Sequence, residues 1–202
     1  FVLLDLSLCL RPSSLTVMTG GNGTGKTSLL RLLRGAMQPA SGEVLLDGTP
    51  LQDLDICHTA TRFASLGHQP GLYLDLSADE NVRLFATVAG RPMASSRVDA
   101  LLDGVGIAIT DRHRPVRGFS RGMLQRAAMA RVQATQADIW LLDEPATGLD
   151  VDGRQMLEQV VVGAREQGVA ILVATHLPSL AAVADQCVEL RVGALFNSRE
   201  TS

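Results

Sequence analysis

Apolar residues along the chain fall into two kinds of pattern. At both ends, short apolar runs alternate with stretches of helical spacing; in the middle, helical spacing dominates. Val2–Leu10 alternates in part through Leu4, Leu6, Leu8 and Leu10 and predicts a strand, with Arg11-Pro12-Ser13-Ser14 as its turn. Leu15–Met18 predicts a short buried strand running into Gly20, and a helix starting near Gly25 carries Leu29, Leu30, Leu32 and Leu33. Glu43–Leu46 predicts a strand closed by Asp47-Gly48, and Arg62–Leu66 another. Ser77-Ala78-Asp79-Glu80 has capping-box spacing and opens a predicted helix through Leu84 and Val88. Ser95–Val105 and Ser120–Ala134 are the next predicted helices. Alternation then returns, with strands at Ile139–Leu142, Val169–Ala174 and Cys187–Arg191 and helices at Gly153–Gln167 and Ser179–Ala184. The expectation is one α/β domain over residues 1–202, with a core from 1–69 and 136–202 and a helical insertion over about 70–135.

Composition narrows the class. The 202 residues are 46% hydrophobic and 19% charged, with no apolar run of the ~18 residues that suggest a membrane span. The net charge of −3, without a basic run, argues against nucleic acid as a partner. Cys9, Cys57 and Cys187 form no metal-binding spacing and read as reduced, buried thiols of a cytosolic protein. No signal peptide is expected from the given sequence, and the chain opens at Phe1 inside a predicted strand, so its natural start is expected upstream. The basic residues are almost all arginine; Lys26 is the only lysine.

That lysine sits in Gly20-Gly21-Asn22-Gly23-Thr24-Gly25-Lys26-Thr27, a G-x-x-x-x-G-K-T pattern between a predicted strand and a predicted helix. Its glycines let backbone N–H groups turn inward around phosphate oxygens, and the helix start adds its positive end. Lys26 reaches the β- and γ-phosphates, and the Thr27 hydroxyl suits Mg²⁺. Ile139–Leu142 ends in Asp143-Glu144, two adjacent carboxylates that repel unless a cation or hydrogen bonds hold them. Beside a phosphate loop, Asp143 serves the metal and Glu144 polarises an attacking water. Taken alone, the pair would equally suit a helix N-cap.

The long interval between Lys26 and Asp143, filled by the helical stretch, leads to a family resemblance. The sequence resembles ABC transporter ATP-binding domains over nearly its whole length. Gly20–Thr27 with Ser28 is similar to Walker A, and Pro39, Gly42, Val44 and Gly48 resemble the early antiparallel strand. Gln69 lies where the Q-loop glutamine falls. Phe119-Ser120-Arg121-Gly122-Met123, then Gln125-Arg126 and Ala130-Arg131, resembles the signature motif. Asp143-Glu144-Pro145 resembles the end of Walker B, Gly148-Leu149-Asp150 the D-loop, and Val173-Ala174-Thr175-His176 the switch-histidine strand.

The resemblance implies a RecA-like P-loop core with an antiparallel β subdomain and an inserted α-helical subdomain. It implies Mg-dependent ATP hydrolysis by two copies joined head to tail, each ATP lying between Walker A of one and the signature of the other. Residues 20 and 22–28 would bind nucleotide: Gly20, Asn22, Gly23, Thr24, Gly25, Lys26, Thr27 and Ser28. Ser120, which also caps its helix, and Gly122 would reach the γ-phosphate from across the interface. His176 would hold the γ-phosphate and the attacking water, Gln69 would sense the metal and couple to transmembrane permease subunits, and Asp150 would link the two sites. The implied place is the cytoplasmic face of the bacterial inner membrane.

Two departures stand out, Arg121 for the first signature glycine and Met123 for the glutamine. The adenine-stacking aromatic falls upstream, with Phe1 nearest to it. His58, His68 and His113 have no motif context and read as structural, Trp140 and Tyr73 as packing, and Arg126 and Arg131 as supports of the signature helix. Residues 66–73, 76–78 and 80–82 together with Phe119–Met123 resemble the haem-exporter branch of cytochrome c maturation. Open alternatives are another small exporter for drugs or lipids, a non-transport ABC protein, and a P-loop switch or kinase. Coiled-coil insertions, tandem ATPase domains and a missing signature would mark the last two, and none is seen.

Overall fold

The computed structural model describes residues 3–197. Its main sheet has six strands in the order β4-β5-β6-β1-β7-β8. These are β1 (Ser14–Thr19), β4 (Phe63–Leu66), β5 (Ile139–Asp143), β6 (Ala170–Ala174), β7 (Gln186–Arg191) and β8 (Ala194–Asn197). The first five in that order run parallel, and β8 returns antiparallel against β7. A parallel sheet is covered on both faces, so its strands are apolar throughout. β6 is buried at all five positions, and β1 at its four central ones.

Side chains alternate between two cores, as the period of two requires. Leu15 and Val17 of β1, Trp140 and Leu142 of β5, and Ile171 and Val173 of β6 enter the larger cluster. Met18, Leu141, Leu172 and Ala174 face the other way and meet Leu29 and Leu30 of α1 (Lys26–Leu33). The larger cluster also takes in the helices between β4 and β5: α3 (Ala78–Val88), α4 (Ser95–Gly104) and α5 (Arg121–Ala134). Buried Arg112 ties this insertion together through Asp99 and Asp103 of α4. The capping box that opens α3 is complete: the Ser77 hydroxyl accepts from Glu80 N at 3.2 Å, and Glu80 Oε2 accepts from Ser77 N at 2.8 Å. The remaining helices are α2 (Ile56–Arg62), α6 (Val151–Glu166) and α7 (Pro178–Ala182).

Three local expectations differ from the structure. The predicted strand Val2–Leu10 begins outside the described residues, and its described part joins no strand. Asp5 at φ 46° takes a left-handed turn that an extended ladder does not tolerate, although Leu3, Leu6, Leu8 and Leu10 still pack against the α1 face. The strand expected over Glu43–Leu46 shrinks to β2 (Leu45–Leu46), paired with β3 (Thr49–Pro50). Asp47 and Gly48 between them, at φ 53° and 82°, make a tight hairpin turn. Cys9 and Cys57 are exposed and Cys187 is half-buried, so the thiols are not the small core residues expected.

Candidate nucleotide site

Residues far apart in sequence meet at one edge of the sheet. The register aligns Met18, Ala174 and Asp143 at the carboxyl ends of β1, β6 and β5. The loop after β1 and the start of α1 carry Gly20–Thr27, the loop after β5 carries Glu144, the loop after β6 carries His176, and the loop after β4 carries His68 and Gln69. Ligand sites of open parallel sheets lie beyond these ends, where connections leave for different layers.

The glycine loop adopts conformations that need glycine at two points in particular. Gly20 has φ 146°, and a Cβ there would lie 2.5 Å from the Leu190 carbonyl oxygen. Gly25, at φ 109°, is the residue on which α1 starts. Lys26 is buried, and its ammonium donates to the carbonyls of Gly20 at 2.6 Å and Gly21 at 3.0 Å. The Thr24 hydroxyl donates to Gly21 O at 3.0 Å. The loop is thus wrapped around its own lysine at the positive end of α1, where an anion is favoured.

The carboxylate strand faces this loop. Asp143 is buried, and its Oδ2 accepts from the Thr27 hydroxyl at 2.6 Å. Two hard oxygen donors side by side fit Mg²⁺, which prefers one or two carboxylates with the rest of its shell left to water and phosphate. Glu144 follows at φ 50°, with its N–H donating to Ala174 O at 2.8 Å. This turn lifts its side chain out of the strand, and Oε1 stands 3.9 Å from His176 Nε2. The buried Thr175 hydroxyl accepts from Leu177 N at 3.2 Å and sets the loop that carries His176.

Asn22, Gly23 and Gly25–Ser28 on one side, with Asp143, Glu144 and His68 on the other, enclose a cleft of about 370 Å³. Gln69 lines an adjoining cavity together with Thr27 and Asp143. His68, which its sequence context left as structural, faces the cleft with Nε2 3.8 Å from Asp143 Oδ2. It has no motif of its own; one observable signal is its place next to Gln69 at the end of β4, a strand that pairs with β5.

Ser120, Gly122 and Asp150 do not border this cleft within one chain. They gather instead where α5 meets α6. Ser120 Oγ accepts from Met123 N at 3.2 Å and caps α5. A Cβ on Gly122 would lie 3.1 Å from Gly148 O, and one on Gly148 would strike the Arg121 stem at 2.9 Å, so Arg121 lies across the turn before α6. Asp150 caps α6 by accepting from Gly153 N at 2.9 Å and also pairs with Arg126 at 3.0 Å. The Gly153 N–H first, and then the Arg126 guanidinium, hold its carboxyl below the usual range. Arg126 and Arg131 both support α5 as expected: Arg126 also donates to Val105 O, and Arg131 to Ser65 O. Trp140 is buried, whereas Tyr73 is largely exposed with its ring 6.0 Å from that of Phe85. Phe1 and the side chain of His58 lie outside the described residues; His113 is exposed.

Comparison with known proteins agrees with this geometry. The ABC transporter family profile matches residues 3–147. The cytochrome c biogenesis ATP-binding export protein CcmA of Methylococcus capsulatus is 38% identical over 174 residues, covering 85% of this chain and 82% of that protein. CcmA of Pseudomonas aeruginosa is 36% identical over 165 residues, covering 82% and 80%. In fold, the chain superposes on an ATP-binding subunit of an ABC transporter with a TM-score of 0.87 at 24% identity, covering 98% of this chain and 85% of the other. It also superposes on the dimeric bacterial ABC transporter cassette MJ0796 with a TM-score of 0.83 at 24% identity, covering 93% and 85%. The chain belongs to the ABC transporter family, as an ATP-binding, ATP-hydrolysing subunit related to the CcmA proteins.

Proposed function

We propose that this chain powers the haem-exporter complex of cytochrome c biogenesis through Mg²⁺-dependent ATP hydrolysis. The observation that supports the chemistry most directly is the 2.6 Å hydrogen bond that puts the Thr27 hydroxyl and the buried Asp143 carboxylate side by side at the mouth of the glycine loop. The export assignment rests on the CcmA relatives and on residues 66–82 and Phe119–Met123.

The roles follow from position. The loop N–H groups of residues 20–27 and the start of α1 bind the phosphates, and Lys26 exchanges its bonds to Gly20 O and Gly21 O for phosphate oxygens. Thr27 and Asp143, with Gln69 beside them, hold Mg²⁺, which supplies charge neutralisation on the phosphates. Glu144 orients the attacking water and takes its proton, and His176, near the Glu144 carboxylate, holds the far side of the γ-phosphate. Phosphoryl transfer to water needs positioning and charge stabilisation rather than a covalent intermediate.

Ser120, Gly122 and Asp150 stand apart from the cleft, and this supports a head-to-tail dimer in which a second copy brings its signature to the first copy's ATP. Among the described residues no helix is long and apolar enough to cross a membrane; the proposed partners are transmembrane permease subunits, in keeping with the CcmA relatives. The subunit then sits at the cytoplasmic face of the inner membrane. The proposed boundaries are a core of 1–69 and 136–202 and a helical subdomain of about 70–135. Affinity capture of the tagged chain from its own membranes tests the export assignment. Co-purification of cytochrome c maturation subunits is the expected result; an unrelated permease in their place would discard the haem reading and leave the ATPase standing.

A further inference from the structure

Arg121 opens α5 between Ser120 and Gly122, at the position where its sequence departs from the glycine of the signature motif. Its charge does not serve its own helix. A cation in the first turn is disfavoured by the helix dipole, and no acidic residue of that turn offsets it. The side chain is exposed and pairs with no carboxylate among the described residues, although most arginines of the helical insertion do. Asp150, two residues beyond Gly148, is already held by Arg126 at 3.0 Å and by the Gly153 N–H at 2.9 Å.

The stem of Arg121 is nevertheless held in place. A Cβ on Gly148 would lie 2.9 Å from its Cγ, 3.0 Å from its Cδ and 3.3 Å from its Nε, so the chain out to Nε rests on the Gly148 backbone. Gly148 belongs to the turn that follows Glu144, closed by Thr147 N on Glu144 O and by Leu149 N on Ala146 O, each at 3.1 Å. Gln125 of α5 donates to Pro145 O at 2.8 Å and fixes the helix to that same turn. A guanidinium on a seated stem, without a partner in its own chain, is organised in advance for a ligand from outside it. Arg121 does not border its own chain's phosphate cleft, and neither do Ser120 and Gly122.

We infer that Arg121 is a further catalytic residue, whose guanidinium grips the terminal phosphate of the ATP bound by the second copy. The inference rests on the head-to-tail dimer proposed above. Residues 120–122 span less than one helical turn, so a phosphate held by Ser120 and Gly122 lies within reach of the long side chain between them. The guanidinium fork matches the oxygens of that phosphate. Water attacks the terminal phosphorus, its proton passes to Glu144, and the bond to the ADP oxygen breaks with its electron pair. Arg121 exchanges no proton and stabilises the charge spread over the transferring group.

The test is ATP turnover by the full chain at saturating ATP, for wild type, Arg121→Gln, Arg121→Lys, Glu144→Gln and an equal mixture of Arg121→Gln with Glu144→Gln. Arg121→Gln should lower kcat by about 10²–10³-fold, the cost of one transition-state donor. ATP binding to the single chain should stay unchanged. Arg121→Lys, which keeps the charge and loses the fork, should fall between the two. The mixture decides the direction of action. In a mixed dimer, the Arg121→Gln chain keeps its Glu144 and receives Arg121 from its partner, so one site is complete. Turnover of the mixture should exceed that of either variant alone by about tenfold or more. No gain on mixing, as expected if Arg121 served its own chain or its own fold, would overturn the inference, and so would wild-type kcat in Arg121→Gln. Absence of an ATP-driven dimer of the Glu144→Gln chain in light scattering would instead remove the head-to-tail reading on which the inference rests.

Discussion

The Thr27 hydroxyl donates to the Asp143 carboxylate across 2.6 Å and so joins the first turn of α1 to the end of β5. Asp143 is buried, and a buried carboxylate is stable only when its acceptor positions are filled. Thr27 fills one here, and a Mg²⁺ ion held by Asp143 and Thr27 would neutralise the carboxylate as well as the phosphates. Asp143→Asn should therefore weaken Mg-ATP binding by about tenfold or more, on the scale of a lost charged contact, while ATP binding in excess chelator changes little. Equal losses with and without Mg²⁺ would take Asp143 out of the metal role.

Glu144 leaves the sheet by a left-handed turn that directs its carboxylate to the His176 side. A general base contributes about 10²–10⁴ in rate, so Glu144→Gln should lose hydrolysis by that order and keep ATP affinity. With its ATP retained, this variant should also form a dimer detectable by light scattering. Wild-type turnover in the variant would assign the base elsewhere.

Two exposed carboxyls report on acid stability. Glu80 is held below its ordinary value by the Ser77 N–H, and Asp150 by the Gly153 N–H and then Arg126. A carboxyl whose folded pKa is depressed contributes stability in full above its unfolded value, about pH 4, and loses it as pH falls through the depressed value. Removing the Ser77 cap by Ser77→Ala should cost about 1 kcal/mol at neutral pH, and removing the titrating group by Glu80→Gln should flatten the loss below about pH 4. Denaturant midpoints at pH 7 and pH 3 check both; an unchanged acid slope would contradict the assignment.

The larger core is tested at β5. Leu142 is fully buried in the larger cluster, and Leu142→Ala should cost about 2–5 kcal/mol. Trp140, the single tryptophan and itself buried, provides the emission signal for unfolding. A cost below about 1 kcal/mol would mean that the site collapses around the lost side chain.

Much of this site is legible in the sequence because its chemistry is local. The glycine loop, the Ser77 capping box, the Ser120 cap and the Asp143-Glu144 pair each need residues within a few positions of one another. What is not legible depends on strand order and on departures from regular backbone. His68 reaches Asp143 because β4 pairs with β5, a neighbour relation that no local pattern carries. Arg131 reads as a support of its helix, and its uncompensated charge emerges only when Ser65 and Phe85 close around it. The leucines of residues 3–10 alternate like a strand yet pack without a ladder because Asp5 turns left-handed. α2 lacks an apolar stripe that would mark it in the sequence, with Ile56 at 83% exposure, and β8 is too short and half exposed to carry a pattern.

The central claim is that nucleotide phosphates bind in the loop wrapped around Lys26. Calorimetric titration of ATP into the wild-type chain and Lys26→Ala tests it most directly. Saturable binding to wild type, weakened about tenfold or more in the variant, is the predicted result. Equal affinity in the two proteins would contradict the account, because the one buried lysine would then have no part in holding phosphate.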